Sequence, residues 1–426
     1  MSTPLRSILI LNYQIMNLTK TFLFLGVVIS CLFGCDKVDN TSYYKYKLPI
    51  LEKMENIRLQ AVTPIAPQPV HATGKIYIYK DYLFINEPTK GIHIFNNANP
   101  SKPIPISFLP ISGNVDMAVK DNVLYADNHV DLLVYDLTNP ASPSLLKRVE
   151  EVFKQNYVFD WQGTSKLNVI VGYKDTTVVA TSRWPINYDG SFSNGGPYTS
   201  AGGSYGQGGS MARFTLANGH LYTVDWSSLN LFDVSDTKNP AFRKNIPLGG
   251  GIETIFPYKN NLFIGTNTGM IIYSIEDAAA PVKLSTYSHV RACDPVVVND
   301  DYAFVTLRTG NLCPGQVNVL EVVDIKDLTN PVRVKAFTME NPHGLGLADD
   351  MLYICEGKFG FKSFDASDIL KIGDRQIEHF KSLNSTDVIP GPKSLIVVGE
   401  GGVCQYDYSD KKKIKLLSCI AVTPID

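Results

Sequence analysis

At 426 residues, with 44% apolar and 19% charged side chains, the chain has ordinary globular composition and enough length to bury a large core. A formal net charge of -2 and the lack of a long basic run argue against a nucleic-acid partner, whose phosphates call for clustered Lys and Arg. The densest basic cluster, Lys411 to Lys413, reads as a solvated turn.

The N-terminus reads as an export signal over residues 1–35. From Met16 it carries one Lys, then an apolar run from Phe22 to Phe33, shorter than the roughly 20 residues that a transmembrane helix needs. Leu32-Phe33-Gly34-Cys35 looks like a bacterial lipobox, in which cleavage before Cys35 leaves that thiol to carry lipid, although Phe33 departs from the small or branched residue usual there. A signal cut elsewhere or an uncleaved anchor is the alternative. Residues 1–15 precede the better-formed signal, so Met16 is a candidate start. Residues 36–74 are polar, aromatic and Pro-rich, periodic only at Tyr43 to Leu51, and read as a tether and lead-in.

From Lys75 a pattern repeats. Short β-type runs recur as YLFI at Tyr82, VLYA at Val123, HLYT at His220, NLFI at Asn261, YAFV at Tyr302, MLYI at Met351 and SLIV at Ser394. Each is followed by a second run closed by Asp, Asn or Ser and a polar or Pro-containing turn. The residue before that turn position falls at Phe95, Tyr135, Phe232, Tyr273, Val323, Phe364 and Tyr406, with spacings of 40, 97, 41, 50, 41 and 42. Two of these spacings are insertions on a period of about forty, so seven units fill Lys75 to Ile420. A unit of four strands repeated seven times predicts an all-β, seven-bladed β-propeller over 75–426. A β-solenoid is the alternative, but its coils repeat at shorter intervals. Asp or Asn after the third strand can bond its own backbone two residues on, and a following Pro cannot donate to a ladder.

Asp-Val-Ser-Asp at Asp233, Val-Val-Asp-Ile at Val322 and Phe-Asp-Ala-Ser-Asp at Phe364 resemble the LVIVD-repeat proteins. Cys293 to Val298 and Asn341 to Gly346 look especially like the version carried by Bacteroidota lipoproteins. The resemblance implies a β-propeller and an exported protein. It carries no general activity.

The insertion at 151–210 divides in two. Its first part has strand-like runs that would extend blade two, and its second, Asp189 to Ser210, is Gly- and Ser-rich and reads as a loop. Tyr198 and Tyr205 give that loop a means of folding over a ligand; an unstructured insert is the plainer reading.

No serine elbow, phosphate loop, HExxH, EF-hand or paired CxxC appears, and no cofactor is expected. The seven histidines have no metal-ligand spacing and read as surface or turn residues, so no metal site is expected. Counting nine or ten residues back from the third residue of each second-strand core reaches the start of each innermost strand. Asp116, Arg213, Glu253, Asp294, His343 and Asp387 fall there, a ring at one channel mouth that would orient a ligand. Channel polarity without a ligand is the alternative reading. The same register places Cys293 and Cys313 at one end of blade five, and Cys404 opposite Cys419 in blade seven, as two disulfides. Cys355 is left over as a buried small hydrophobe.

Together these readings describe a lipid-anchored propeller of the bacterial outer membrane, periplasmic or surface-exposed. It is expected to be monomeric and to bind or scaffold an envelope protein or glycan. The competing class is a glycan-active enzyme using Asp116, Glu253, Asp294 or Asp387 as acid and base.

Overall fold

The computed structural model describes residues 42–158, 168–180, 211, 213–289, 295–309 and 317–423. Cys35 and the export signal, Asp294, the pair Cys293 and Cys313, and the Gly-rich stretch from Asp189 to Ser210 lie outside them.

Two compact units are present, one formed by Met1–Leu48 with Tyr173–Ser191, the other by Pro49–Gly172 with Phe192–Asp426. The described part of the smaller unit belongs to a two-stranded sheet of Ser42–Lys53 and Asn168–Ala180. The strand-like run of the insertion therefore pairs with the lead-in and does not lengthen blade two, whose sheet keeps four strands.

The larger unit holds the propeller, with seven four-stranded sheets of four consecutive strands each. Blade one runs Ile76–Tyr79, Tyr82–Glu87, Gly91–Asn96 and Ile104–Pro110, and blade seven ends with Lys415–Ala421. Second and third strands are buried almost throughout, as in Val123–Asn128 and Asp131–Asp136, because neighbouring blades cover both faces. They accordingly read as continuous apolar runs. Fourth strands such as Ala241–Pro247 face solvent along most of their length.

The recurrent turn has one construction in all seven blades. The residue that closes the third strand accepts a hydrogen bond from the amide two residues on, as Asn96, Asp136, Asp233, Ser274, Asp324, Asp365 and Asp407. Three residues later a second Asn or Asp repeats the bond, from Asn99 to Asp410. Each pair fixes a tight reversal together with a backbone bond from the amide three residues past the second Asn or Asp, and its reliance on particular side chains is why the repeat shows in sequence. Just before each of these positions the third-to-fourth-strand register slips, as between Ile94 and Phe95 or Val322 and Val323, leaving one extra residue on the outer strand. Such a bulge increases local twist, as a propeller blade requires.

Apolar clusters join blades one to three, then each later neighbouring pair, and finally blades seven and one. No strand is shared at the last junction. Ring closure rests on the cluster of Ile85, Phe95, Ile389, Ile396 and Val403, and on a reciprocal amide pair between Asn97 and Gln405 at 2.9 and 2.7 Å. Val70 adds a parallel bridge to Val422. Cys404 and Cys419 are register partners in blade seven and form a disulfide, and Cys355 is a buried free thiol.

The lead-in is more ordered than its composition suggests. A helix, Met54–Leu59, buries Met54 and Ile57 against Val130, Tyr157 and Val169. Arg58 grips Asp131 of blade two with Nε and Nη2 at 2.9 and 2.8 Å, and Arg148 and the Glu151 amide complete that carboxylate's shell.

Candidate functional site

First strands begin at one mouth of the channel, and antiparallel pairing brings the turns between second and third strands to the same end. Of the ring residues anticipated from sequence, Asp116, Arg213, Glu253, His343 and Asp387 are described, at or next to the starts of first strands, and they form two groups with different chemistry.

The first group spans blades seven, one, two and three and is bound up in internal hydrogen bonds, with the buried Asn86 Oδ1 left without a partner. Asp116 is 1% exposed; its Oδ1 accepts from the Met117 amide at 2.7 Å, and its Oδ2 from the Arg213 and Phe214 amides at 2.8 and 3.0 Å. It thus ties blade two to blade three. Asp387, 6% exposed, accepts from the Val388 amide, and a Cβ on Gly344 of blade six would stand 2.2 Å from its Oδ1. Lys75, in the equivalent position of blade one, is 2% exposed and donates from Nζ to the Met211 carbonyl at 2.8 Å. Burial pulls its ammonium pKa well down, opposed by the charges of Asp116, Asp387 and Asp127, while Arg213 adds to the fall. Asp127 accepts from Asn114 and from the Val115 and Asp116 amides through Oδ1, yet burial still pushes its carboxyl up to about 7. Asn86 extends the network to blade one through the Asn114 side chain at 2.7 Å. Arg213 is half-buried beside this group.

The second group spans blades four to six and is half-buried. Glu253 and His343 are half-buried at the starts of their first strands. The His343 amide donates to the Cys355 carbonyl at 2.7 Å, and the Thr306 hydroxyl donates to the His343 carbonyl at 2.6 Å, which pins the backbone. Asn341 Nδ2 lies 3.1 Å from His343 Nε2 and donates to it. Burial, helped by the Arg308 charge, lowers the imidazole pKa to about 3, so the ring is neutral at neutral pH. Arg308, just past the second strand of blade five, is half-buried; burial lowers its pKa while Glu253 opposes the shift. Its charge bears on His343 of blade six and on Glu253 of blade four, the two blades that flank blade five.

The channel mouth therefore gathers Lys75, Asp116, Arg213 and Asp387 on one side and Glu253 and His343 on the other, while Asp294 lies outside the described residues. Of the described carboxylates in the ring, Asp116 and Asp387 are buried, which leaves Glu253 half-exposed. Lys75 escaped the sequence reading although the same count, nine residues back from Phe84, reaches it. Asp127 sits on a second strand and Arg308 just past one, where that count does not look. Among the described residues no group of three or more His, Cys, Asp or Glu side chains is placed to hold a metal ion. The histidines are not all surface residues: His93 is 2% exposed with Nε2 2.9 Å from Glu87, and His129 is also buried.

Residues 113–151, which contain blade two, match the family model for the LVIVD repeat. A dual oxidase from Drosophila melanogaster is 24% identical over 208 residues, covering 46% of this chain and 11% of the oxidase, so the chain spans a small part of that relative. Among solved structures, a functionally unknown protein from Desulfotomaculum acetoxidans superposes with TM-score 0.47 and 11% identity, covering 83% of this chain and 98% of that one. Sqt1 from Saccharomyces cerevisiae does so with TM-score 0.48 and 10% identity, covering 84% and 88%.

Proposed function

We propose that this chain is a binding module of the bacterial cell envelope, held to the outer membrane by lipid on Cys35, whose channel mouth recognises an envelope glycan or protein. The observation that carries this reading is that Glu253, Arg308 and His343 stand half-buried at the same end of three successive blades, with the Arg308 charge bearing on the other two. A concavity with a few fixed polar groups is what orients a ligand. Binding is favoured over acid-base catalysis because Asp116 is engaged by three backbone amides and Asp387 is buried. The apolar run before Cys35 and the Leu-Phe-Gly-Cys ending support export and anchoring. The Bacteroidota-type segments at Cys293 and Asn341 favour an outer-membrane lipoprotein.

The test is retention of envelope extract on the immobilised protein. The unmodified propeller and a Lys259→Ala variant, altered in an exposed turn at the opposite mouth, should retain the same component, and Glu253→Gln combined with His343→Ala should lose it. Equal retention by all three would refute the assignment of this mouth.

A further inference from the structure

The end of the channel opposite this mouth carries a cleft of its own. Where the first strands of blades one to three finish, a space of about 170 Å³ opens between their turns. Val119, Leu216 and Ala217, all buried, form its apolar wall, and Lys120 and Asp121 stand on its rim. A cavity of about 150 Å³ holds a benzene-sized group, so this one takes a single apolar side chain and not an extended polymer.

The rim is ordered before any ligand arrives. Asp121 and Asn122 in the blade-two turn, and Asn218 and Gly219 in the blade-three turn, have φ of 50, 60, 49 and 76°, the left-handed values of a tight hairpin. The Tyr79 hydroxyl accepts from the Asn122 amide at 3.0 Å, which ties the first turn to blade one. Asn218 Nδ2 donates to the Asn260 side chain and the Ile275 carbonyl at 3.2 and 3.3 Å, which ties the second turn to blade four. Little ordering remains to be done on binding.

The charges on this rim are under-used. Lys362, elsewhere in the fold, meets two carboxylates at 2.7 and 2.8 Å. Lys120 instead crosses to blade three and donates one hydrogen bond, to the Val234 carbonyl at 3.3 Å. The Val234 amide in turn donates to the Gly219 carbonyl at 3.0 Å, so the ammonium stands at the blade-three side of the cleft. Asp121, the carboxylate paired with Lys120, lies 3.7 Å away, beyond hydrogen-bond reach, and among the described residues its carboxylate accepts no hydrogen bond. An ammonium has three protons, so two are left for a ligand beside an unengaged anion. An exposed ion pair this long gives way at little cost.

We infer that this cleft binds a free apolar amino acid of leucine to phenylalanine size, with its side chain against Val119, Leu216 and Ala217, its α-carboxylate on Lys120 and its α-ammonium on Asp121. A lone anion is opposed by Asp121 and a lone cation by Lys120, whereas one head group carrying both charges satisfies the pair. The inference concerns the far end of the channel and stands whatever the mouth binds.

Calorimetric titration of the full chain with L-leucine and L-phenylalanine tests it, against isocaproate, isoamylamine, glycine and N-acetyl-leucinamide. These four remove in turn the ammonium, the carboxylate, the side chain and both charges. At least one of the two amino acids should bind with Kd below about 1 mM and roughly tenfold or more tightly than any of the four. Lys120→Met keeps the apolar stem, and Asp121→Asn keeps a residue suited to positive φ; each should weaken binding roughly tenfold or more at an unchanged melting temperature. Lys259→Ala, on a blade-four turn outside the cleft, should bind as the unmodified chain does. No binding of either amino acid, equal binding of isocaproate, isoamylamine or glycine, or affinity unchanged in either rim variant would overturn the inference. Equal binding of N-acetyl-leucinamide would overturn it too, and would give the cleft to an inserted side chain of a protein.

Discussion

Replacing Asp131 with alanine removes the buried carboxylate that two cations share, leaving Arg58 the more exposed Glu150 at 3.2 Å and Arg148 the Asn128 side chain at 2.6 Å. The Asp131 side chain is 0% exposed, against 19% for Arg58 and 13% for Arg148, and it accepts four hydrogen bonds, including one from the Glu151 amide. Breaking a buried ion pair by removing one partner costs roughly 3–5 kcal/mol. The lead-in helix should also loosen, because its remaining contacts are the apolar packing of Met54 and Ile57 and the ion pair of Arg58 with the exposed Glu150. The measurement is equilibrium urea unfolding at pH 7, followed by far-ultraviolet circular dichroism. A loss under about 1 kcal/mol, the range of exposed pairs, would refute the reasoning. The pH dependence gives a second reading. Burial works against ionisation of Asp131, but the bonds from Arg58, Glu151 and Arg148 overcome it and leave the carboxyl below its usual range. A depressed folded pKa means that this stability is fully present above the unfolded value, about 4, and is lost as pH falls through the folded one. The difference between wild type and Asp131→Ala should therefore shrink below pH 4.

Asp127 has the opposite sign. Its folded pKa of about 7 lies above the unfolded one, so stability falls as pH rises from about 4 to 7, and Asp127→Asn should flatten that slope in unfolding curves taken across the window. An unchanged slope would mean that the carboxylate is stabilised in a way its burial does not provide. Joint replacement of Cys404 and Cys419 by Ser opens a loop of 15 residues' separation and should cost roughly 3 kcal/mol, read as a lower melting temperature under oxidising conditions and none under reduction. Asp324→Ala deletes one turn acceptor and should cost about 1 kcal/mol, with Asp324→Asn near neutral, since the amide oxygen keeps the bond to Lys326.

The propeller was legible in the sequence because its turns are made by side chains. Six Asx-type closures, a seventh made by Ser274, and seven buried second strands leave a forty-residue period that insertions interrupt without erasing. The mouth was legible in part, since the same period located Asp116, Glu253, His343 and Asp387. Exposure was not legible: the count locates a residue on a strand, but whether its carboxylate meets water or the amides of the next blade depends on packing across blades. Asp116 shows this, because Arg213 and Phe214, which bury it, stand beyond the large insertion. The helix Met54–Leu59 escaped for a related reason. It is six residues long, too short to show a period, and is held by tertiary contacts to Val130 and Asp131. Strand Asn168–Ala180 read correctly as β, but its partner is 115 or more residues earlier in the chain, and no local pattern names a partner at that distance.

The most direct measurement of the recognition surface is site-specific photo-crosslinking in the native envelope. A photoreactive phenylalanine analogue at Glu253 should capture one defined envelope component, and the same analogue at Lys259, in the turn at the opposite end of blade four, should not. Capture from Lys259 alone, or the same adduct from both positions, would contradict recognition at this mouth.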